Sequence, residues 1–211
     1  MKFRYERPNI NRKKEAIEFI NELYEYGSKI NGVGGLARYL EDYEGWLKKL
    51  DEDYTREVTE DKVPSRTYFL IRVDDNKIIG MANIRTKLNQ KLMNFGGNIG
   101  YCIRPTERGK GYNKVNLYLA LKVCKECGIK RVLLDADKGN PASWRTMESL
   151  GAVLEAEKSV ELYDEDVVRF YSIEVDRSLK LYGDVYGPLV KGWVIEYIED
   201  EDWVKGDRSY L

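Results

Sequence analysis

The chain has 211 residues, with 35 Lys and Arg against 36 Asp and Glu, so it is close to electroneutral. An apolar fraction of 43% is globular, and the length suits one large domain or a domain with an extension. Balanced charge excludes the broad basic footprint of a nucleic-acid binder, and no apolar run approaches the roughly 20 residues of a membrane-spanning helix.

The opening Lys-Phe-Arg-Tyr-Glu (2–6) alternates and predicts a strand. Ala16, Phe19, Ile20, Leu23 and Tyr24 then recur at helical spacing. Asn-Gly-Val-Gly-Gly (31–35) is a turn. Leu36, Tyr39, Leu40, Tyr43, Trp46, Leu47 and Leu50 predict a second helix, and the polar stretch 51–65, which holds Pro64, predicts a loop. Two apolar, β-rich runs (67–73 and 77–85) flank Asp-Asp-Asn and predict a hairpin. A third such run spans 98–104. Val115, Leu119, Val123 and Cys127 mark a helix that stops at Gly128. A buried strand follows at 130–137. Asn140-Pro141 opens another helix, because an Asn side chain caps and proline suits the first turn, and that helix ends at Gly151. Runs 152–162 and 167–175 form a last hairpin around Tyr163-Asp164-Glu165-Asp166.

The predicted order is β-α-α-β-β-β-α-β-α-β-β, an α/β arrangement with a mixed sheet and helices on its faces. It occupies residues 1–176. Residues 177–211 form an extension with Gly183, Gly187-Pro188 and an acidic run at 199–202, which suits a small extra hairpin. Its aromatics, Tyr182, Tyr186, Trp193, Tyr197 and Trp203, predict that it docks on the domain. Covering a substrate cleft and forming a homodimer contact are its two alternative roles.

Three cysteines and no apolar signal core at the N-terminus predict a cytoplasmic protein with reduced thiols. Cys124 and Cys127 form a CxxC, but a zinc site needs about four ligands and the chain has no histidine. The pair sits at i, i+3 of a helical pattern, as small buried residues do, and no metal is expected. The missing histidine also excludes Ser-His-Asp and Cys-His nucleophilic schemes within one chain.

The segment with most chemistry is Arg-Pro-Thr-Glu-Arg-Gly-Lys-Gly-Tyr-Asn (104–113), between a strand and a helix. The first amides of a helix lack partners and carry partial positive charge, and glycines let a ligand approach the backbone. Arg108 and Lys110 add full charges. This is a recipe for holding phosphate. It is not a Walker loop, because no glycine stands five positions before Gly109, and Lys114 replaces the third glycine of a Rossmann fingerprint.

Here the sequence resembles the GCN5-related N-acetyltransferases (GNAT). Their acetyl-CoA loop reads Gln/Arg-x-x-Gly-x-Gly/Ala, and Thr106-Glu-Arg-Gly109-Lys-Gly111 matches it except at the first position. Their Asn-x-x-Ser/Ala helix start matches Asn140 and Ser143, and Glu148 and Gly151 extend the likeness. Gly-Gly-Asn-Ile-Gly-Tyr (96–101) is similar to the GGHIGY of a bacterial subgroup. The resemblance implies acetyl-CoA as co-substrate. The amides of Arg108, Gly109, Lys110, Gly111, Tyr112 and Asn113 would hold the diphosphate. The backbone of Cys102 and Ile103 would pair with the pantetheine arm, and Asn140 and Ser143 would touch its far side.

Proton-transfer groups do not carry over. Met147 stands where many members have a tyrosine, Asn98 where the subgroup has histidine, and Asn113 where a small residue is usual. Candidates for acid or base work are Asn98, which suits a bridging water or a purely structural role, and Tyr101, Tyr163 and Tyr171, each read first as a packed aromatic and only then as an acid. The expected function is direct acetyl transfer to a primary amine of a small molecule or peptide, with no nucleic-acid or membrane partner. The alternative is a non-catalytic acyl-CoA-binding module.

Overall fold

The computed structural model describes residues 1–160 and 167–191. Strand β1 (Phe3–Glu6) leads to α1 (Lys13–Glu25), α2 (Tyr43–Thr55), β2 (Ser65–Arg72), β3 (Lys77–Arg85) and a short α3 (Gln90–Asn94). Then come β4 (Ile99–Ile103), α4 (Tyr112–Glu126), β5 (Arg131–Asp137), α5 (Pro141–Glu148), β6 (Val153–Ser159), β7 (Val167–Glu174) and α6 (Val175–Tyr186). The strands form two sheets, ordered β1-β2-β3-β4 and β5-β7-β6.

Both faces of the first sheet are covered, which is why β2 reads as the continuous apolar run Tyr68–Ile71 and not as an alternation. Phe69 and Ile71 pack with Phe19, Ile20, Leu23 and Trp46 of α1 and α2. Tyr68 and Leu70 join the cluster built around α4, with Leu117, Leu121 and Val132. Burying one such side chain contributes roughly 1.5–3 kcal/mol.

Several features differ from the sequence reading, and α2 runs on to Thr55, into the stretch expected to be a loop, while β2 already begins at Ser65. The second helix starts at Tyr43, not near Leu36. Gly35 takes a left-handed turn (φ 84°), Leu36–Arg38 form one 3₁₀ turn, and Asp42 caps α2 by accepting from the Gly45 amide at 2.9 Å. Helix α3 was not expected; Asn89 caps it through the Leu92 amide at 3.0 Å. In the extension, the described part forms α6 rather than a hairpin. Its Tyr186 packs on Tyr118 of α4, ring centroids 5.7 Å apart. The hairpin turn Tyr163–Asp166 and the aromatics Trp193, Tyr197 and Trp203 lie outside the described residues.

Candidate functional site

The glycine loop closes between β4 and α4 as the sequence implies. Gly109 (φ 76°) and Gly111 (φ 78°) are both left-handed, and a Cβ built on either meets no atom within 4 Å. The backbone conformation therefore favours glycine here, while the outer side of the loop stays open to a ligand. Gly111 is the N-cap of α4 and lends it no side-chain cap, so the first helical amides keep the unmatched donors of a helix N-terminus.

The charged side chains of the loop are committed. Lys110 donates to Glu107 at 2.8 Å, so its charge is already matched. Glu107 also binds Arg72 at 2.9 Å. Although burial opposes it, this pairing holds the Glu107 carboxyl at about 2. Arg108 donates to Ser28 Oγ at 2.9 Å and to the Ile103 carbonyl at 3.3 Å. Tyr112 packs its ring on Phe3, centroids 4.9 Å apart. Asn113 turns along the helix, its Oδ1 accepting from Asn116 at 3.4 Å, away from the loop mouth. Sequence reasoning counted Lys110 and Arg108 as free cations and missed Glu107, three residues before Lys110.

The two sheets meet at one point. The Asn98 amide donates to the Leu133 carbonyl at 2.7 Å, and the Leu133 amide donates to Asn98 Oδ1 at 2.8 Å. Asn98 Nδ2 donates in turn to the Arg85 carbonyl at 3.1 Å. Asn98 is 4% exposed and its carboxamide is fully engaged. This bonding favours the structural alternative over a bridging water. Beyond this pair no backbone bond joins β4 to β5 among the described residues, so a gap opens along both strands. Cys102 and Ile103 lie on its β4 side. Burial pushes the Cys102 thiol up to about 12, which keeps it protonated and inert.

Across the gap, Tyr101 reaches the start of α5, its hydroxyl 3.1 Å from Ser143 Oγ and 3.3 Å from the Ser143 carbonyl. Burial raises Tyr101 well above an ordinary phenol. Asn140 caps α5 by accepting from the Ser143 amide at 3.3 Å. Tyr171 is buried on the α5 side of its sheet, and its hydroxyl donates to Glu148 at 2.9 Å. Burial, then that carboxylate, raises Tyr171 too. Tyr163 lies outside the described residues.

The group that sequence reasoning missed is Asp135. In β5, Val132, Leu134 and Ala136 are buried toward α4, so Leu133, Asp135 and Asp137 face the other way. One Asp135 oxygen accepts from the Gly96 amide at 2.9 Å. Burial raises its carboxyl above the ordinary range; Gly96 and Arg85 oppose that rise. Asp137, two residues on, is bonded to Lys29 at 2.8 Å. Lys29 belongs to a strap that also carries Gly32, which sits so close to Gly100 and Tyr101 that any Cβ would strike their backbone. The strap therefore lies over the same face of the gap as Asp135.

The profile described as "Acetyltransferase (GNAT) domain" matches residues 21–153, well over half of the chain. The chain belongs to the GNAT acetyltransferase family. Solved GNAT structures share its fold. A ribosomal-protein-S5-alanine acetyltransferase from Vibrio fischeri is 15% identical with a TM-score of 0.63, covering 83% of this chain and 94% of that one. Mutant forms of the spermidine/spermine N-acetyltransferase SpeG from Vibrio cholerae are 13% identical with a TM-score of 0.60, covering 85% and 98%. The protein yncA from Salmonella typhimurium, solved with its cofactor acetyl-CoA, is 14% identical with a TM-score of 0.57, covering 83% and 95%. No curated protein matches the chain.

At the GNAT tyrosine position, Met147 is 1% exposed and packs in the α4 cluster. It faces the core and has no proton to give. Among the described residues no group of three or more Cys, Asp or Glu side chains is placed to hold a metal ion, and no helix is long and apolar enough to cross a membrane.

Proposed function

We propose that this GNAT protein is an acetyl-CoA-dependent N-acetyltransferase that moves the acetyl group directly onto a primary amine of a small molecule or peptide. The gap between β4 and β5, pinned at Asn98 and Leu133 beside the open Gly109/Gly111 loop, carries this reading. The amides of Arg108 to Asn113 hold the diphosphate, with the helix N-terminus supplying the field. Cys102 and Ile103 present backbone to the pantetheine arm. Asn140 and Ser143 bound its other side, with Tyr101 held ready on Ser143.

Asp135 is the group placed to take a proton. The acceptor ammonium gives one proton to its carboxylate, and the freed lone pair attacks the thioester carbonyl carbon. As the tetrahedral adduct collapses, the C–S bond breaks, and the second nitrogen proton passes through water to the thiolate. A thiol leaving group with a pKa of about 8.5 needs no strong acid. Met147 is therefore compatible with turnover. Its burial also favours the second reading, a non-catalytic acyl-CoA-binding module. A cytoplasmic setting agrees with three cysteines that form no disulfide.

The test is calorimetric titration with acetyl-CoA, followed by thiol-release assays over a panel of amines. Saturable one-site binding with thiol release supports the transferase. Binding without release from any amine leaves the non-catalytic module. Absence of binding at millimolar acetyl-CoA overturns both.

A further inference from the structure

Between α3 and β4 the chain crosses over the Asp135 face of the second sheet. Phe95 meets Phe170 of β7 edge-on, centroids 6.4 Å apart at 72°. Gly96 donates to Asp135, and Gly97 lies so close to Leu133 that a Cβ would strike its carbonyl. This crossing leaves an open pocket of about 90 Å³, bounded by Met93, Phe95, Leu133, Asp135, Glu155 and Phe170. Its walls are mostly apolar. Asp135 stands on the strand that borders the gap, so the pocket adjoins the place where the amine must attack.

The charges around the pocket restrict what enters. Glu155 is held by Arg131 at 2.6 Å and by Ser172 at 2.5 Å. Arg85 donates to the Gly96 and Gly97 carbonyls at 2.6 and 2.8 Å. Lys158 sits 5.8 Å from the Phe170 ring centroid. Asp135 is left as the anion for one ammonium group. A second cation on the acceptor would meet Arg131 and Lys158 at the rim. Size restricts it further, since the space is smaller than the ~150 Å³ void that admits benzene.

We propose that this pocket selects the acceptor: a primary amine whose nitrogen lies at Asp135 and whose short, uncharged, apolar stem fills the space beside Met93, Phe95 and Phe170. The inference rests on the transferase reading above. Such a stem belongs equally to a small alkylamine and to a peptide with a small apolar first residue.

The experiment measures thiol release from acetyl-CoA by the full chain with n-butylamine, n-hexylamine, an alanine-initiated tripeptide amide and spermidine. Butylamine or the peptide should exceed spermidine in kcat/KM by roughly tenfold or more, and which of the two leads identifies the source. Met93→Trp, at a position 48% exposed, should raise KM for the preferred amine and leave KM for acetyl-CoA unchanged. Phe170→Ala should shift preference toward hexylamine. Preference for spermidine, or a ranking unmoved by both variants, overturns the pocket assignment while the transferase stands. Absence of thiol release from every amine removes the transferase reading itself, and the pocket assignment with it.

Discussion

Asn98 and Leu133 bind each other twice, once through both backbones and once through the Asn98 carboxamide, at 2.7 and 2.8 Å. This pair is the hinge line between the sheets. Replacing Asn98 with alanine strands the Leu133 amide and the Arg85 carbonyl in a buried setting. An unsatisfied buried polar group costs about 1–3 kcal/mol, so Asn98→Ala should lose about 2–4 kcal/mol in urea denaturation. If turnover vanished while stability held, Asn98 would be chemical rather than structural.

Gly111→Asp should leave the fold intact and abolish acetyl-CoA binding by calorimetry. Aspartate tolerates a left-handed backbone better than most side chains, and the position opens to solvent. The new carboxylate would face the diphosphate. Wild-type affinity in this variant would show that the loop is not the anion site.

Asp135→Asn should lower kcat/KM by about 10²–10⁴, the usual worth of a placed base, with little change in acetyl-CoA affinity. A base works only when deprotonated, and burial raises this carboxyl. The acid limb of the wild-type pH–rate profile should therefore lie above the ordinary carboxylate range and disappear in the variant. An unchanged limb would exclude Asp135 as the base.

Met147→Ala should act on stability. Truncating a fully buried methionine costs about 2–5 kcal/mol, because the cavity adds to the lost transfer energy. Acetyl-CoA affinity and kcat of the folded fraction should stay near wild type. A large fall in kcat at unchanged melting temperature would give that helix a chemical role.

Glu107→Gln should destabilise the protein at neutral pH and much less in acid. The folded Glu107 carboxyl is depressed to about 2 from an ordinary value near 4.5. Its contribution is thus present above about 4.5 and lost as pH falls toward 2. Melting curves of both proteins at pH 7, 4 and 3 should converge. A constant difference across that range would refute the ion-pair account.

Much of this was legible in the residues, and the exceptions have causes. Strand β3 was read at its true limits because its apolar run, begun by Ile78 and Ile79 and closed by Ile84, follows directly on the Asp74–Asn76 turn. The glycine loop was legible because its left-handed backbone angles favour glycine, which leaves a mark in any sequence. The second helix was started too early because a 3₁₀ turn carries the same apolar spacing as an α-helix over one turn; Asp42 was the better signal. Asp135 passed as the end of a strand. Its signal was the alternation Val132, Leu134, Ala136, which throws an acid onto the opposite face of a buried strand. Asn98 was left open between two roles because pairing across sheets far apart in sequence leaves no local pattern.

The break between the sheets has a thermodynamic side. Two strand edges run through the interior with their amides and carbonyls turned toward each other across empty width, an arrangement that elsewhere recruits foreign chains. On the function proposed above, the amide-bearing arm of acetyl-CoA, chemically a short piece of peptide, lodges there and stands in for an absent strand. The donor is then also a structural member of the enzyme. At a hundredfold excess over its dissociation constant, a ligand of this kind adds about 2.7 kcal/mol to the folded state. The melting temperature of the protein becomes a gauge of donor supply, and the empty enzyme is the form most exposed to unfolding and proteolysis.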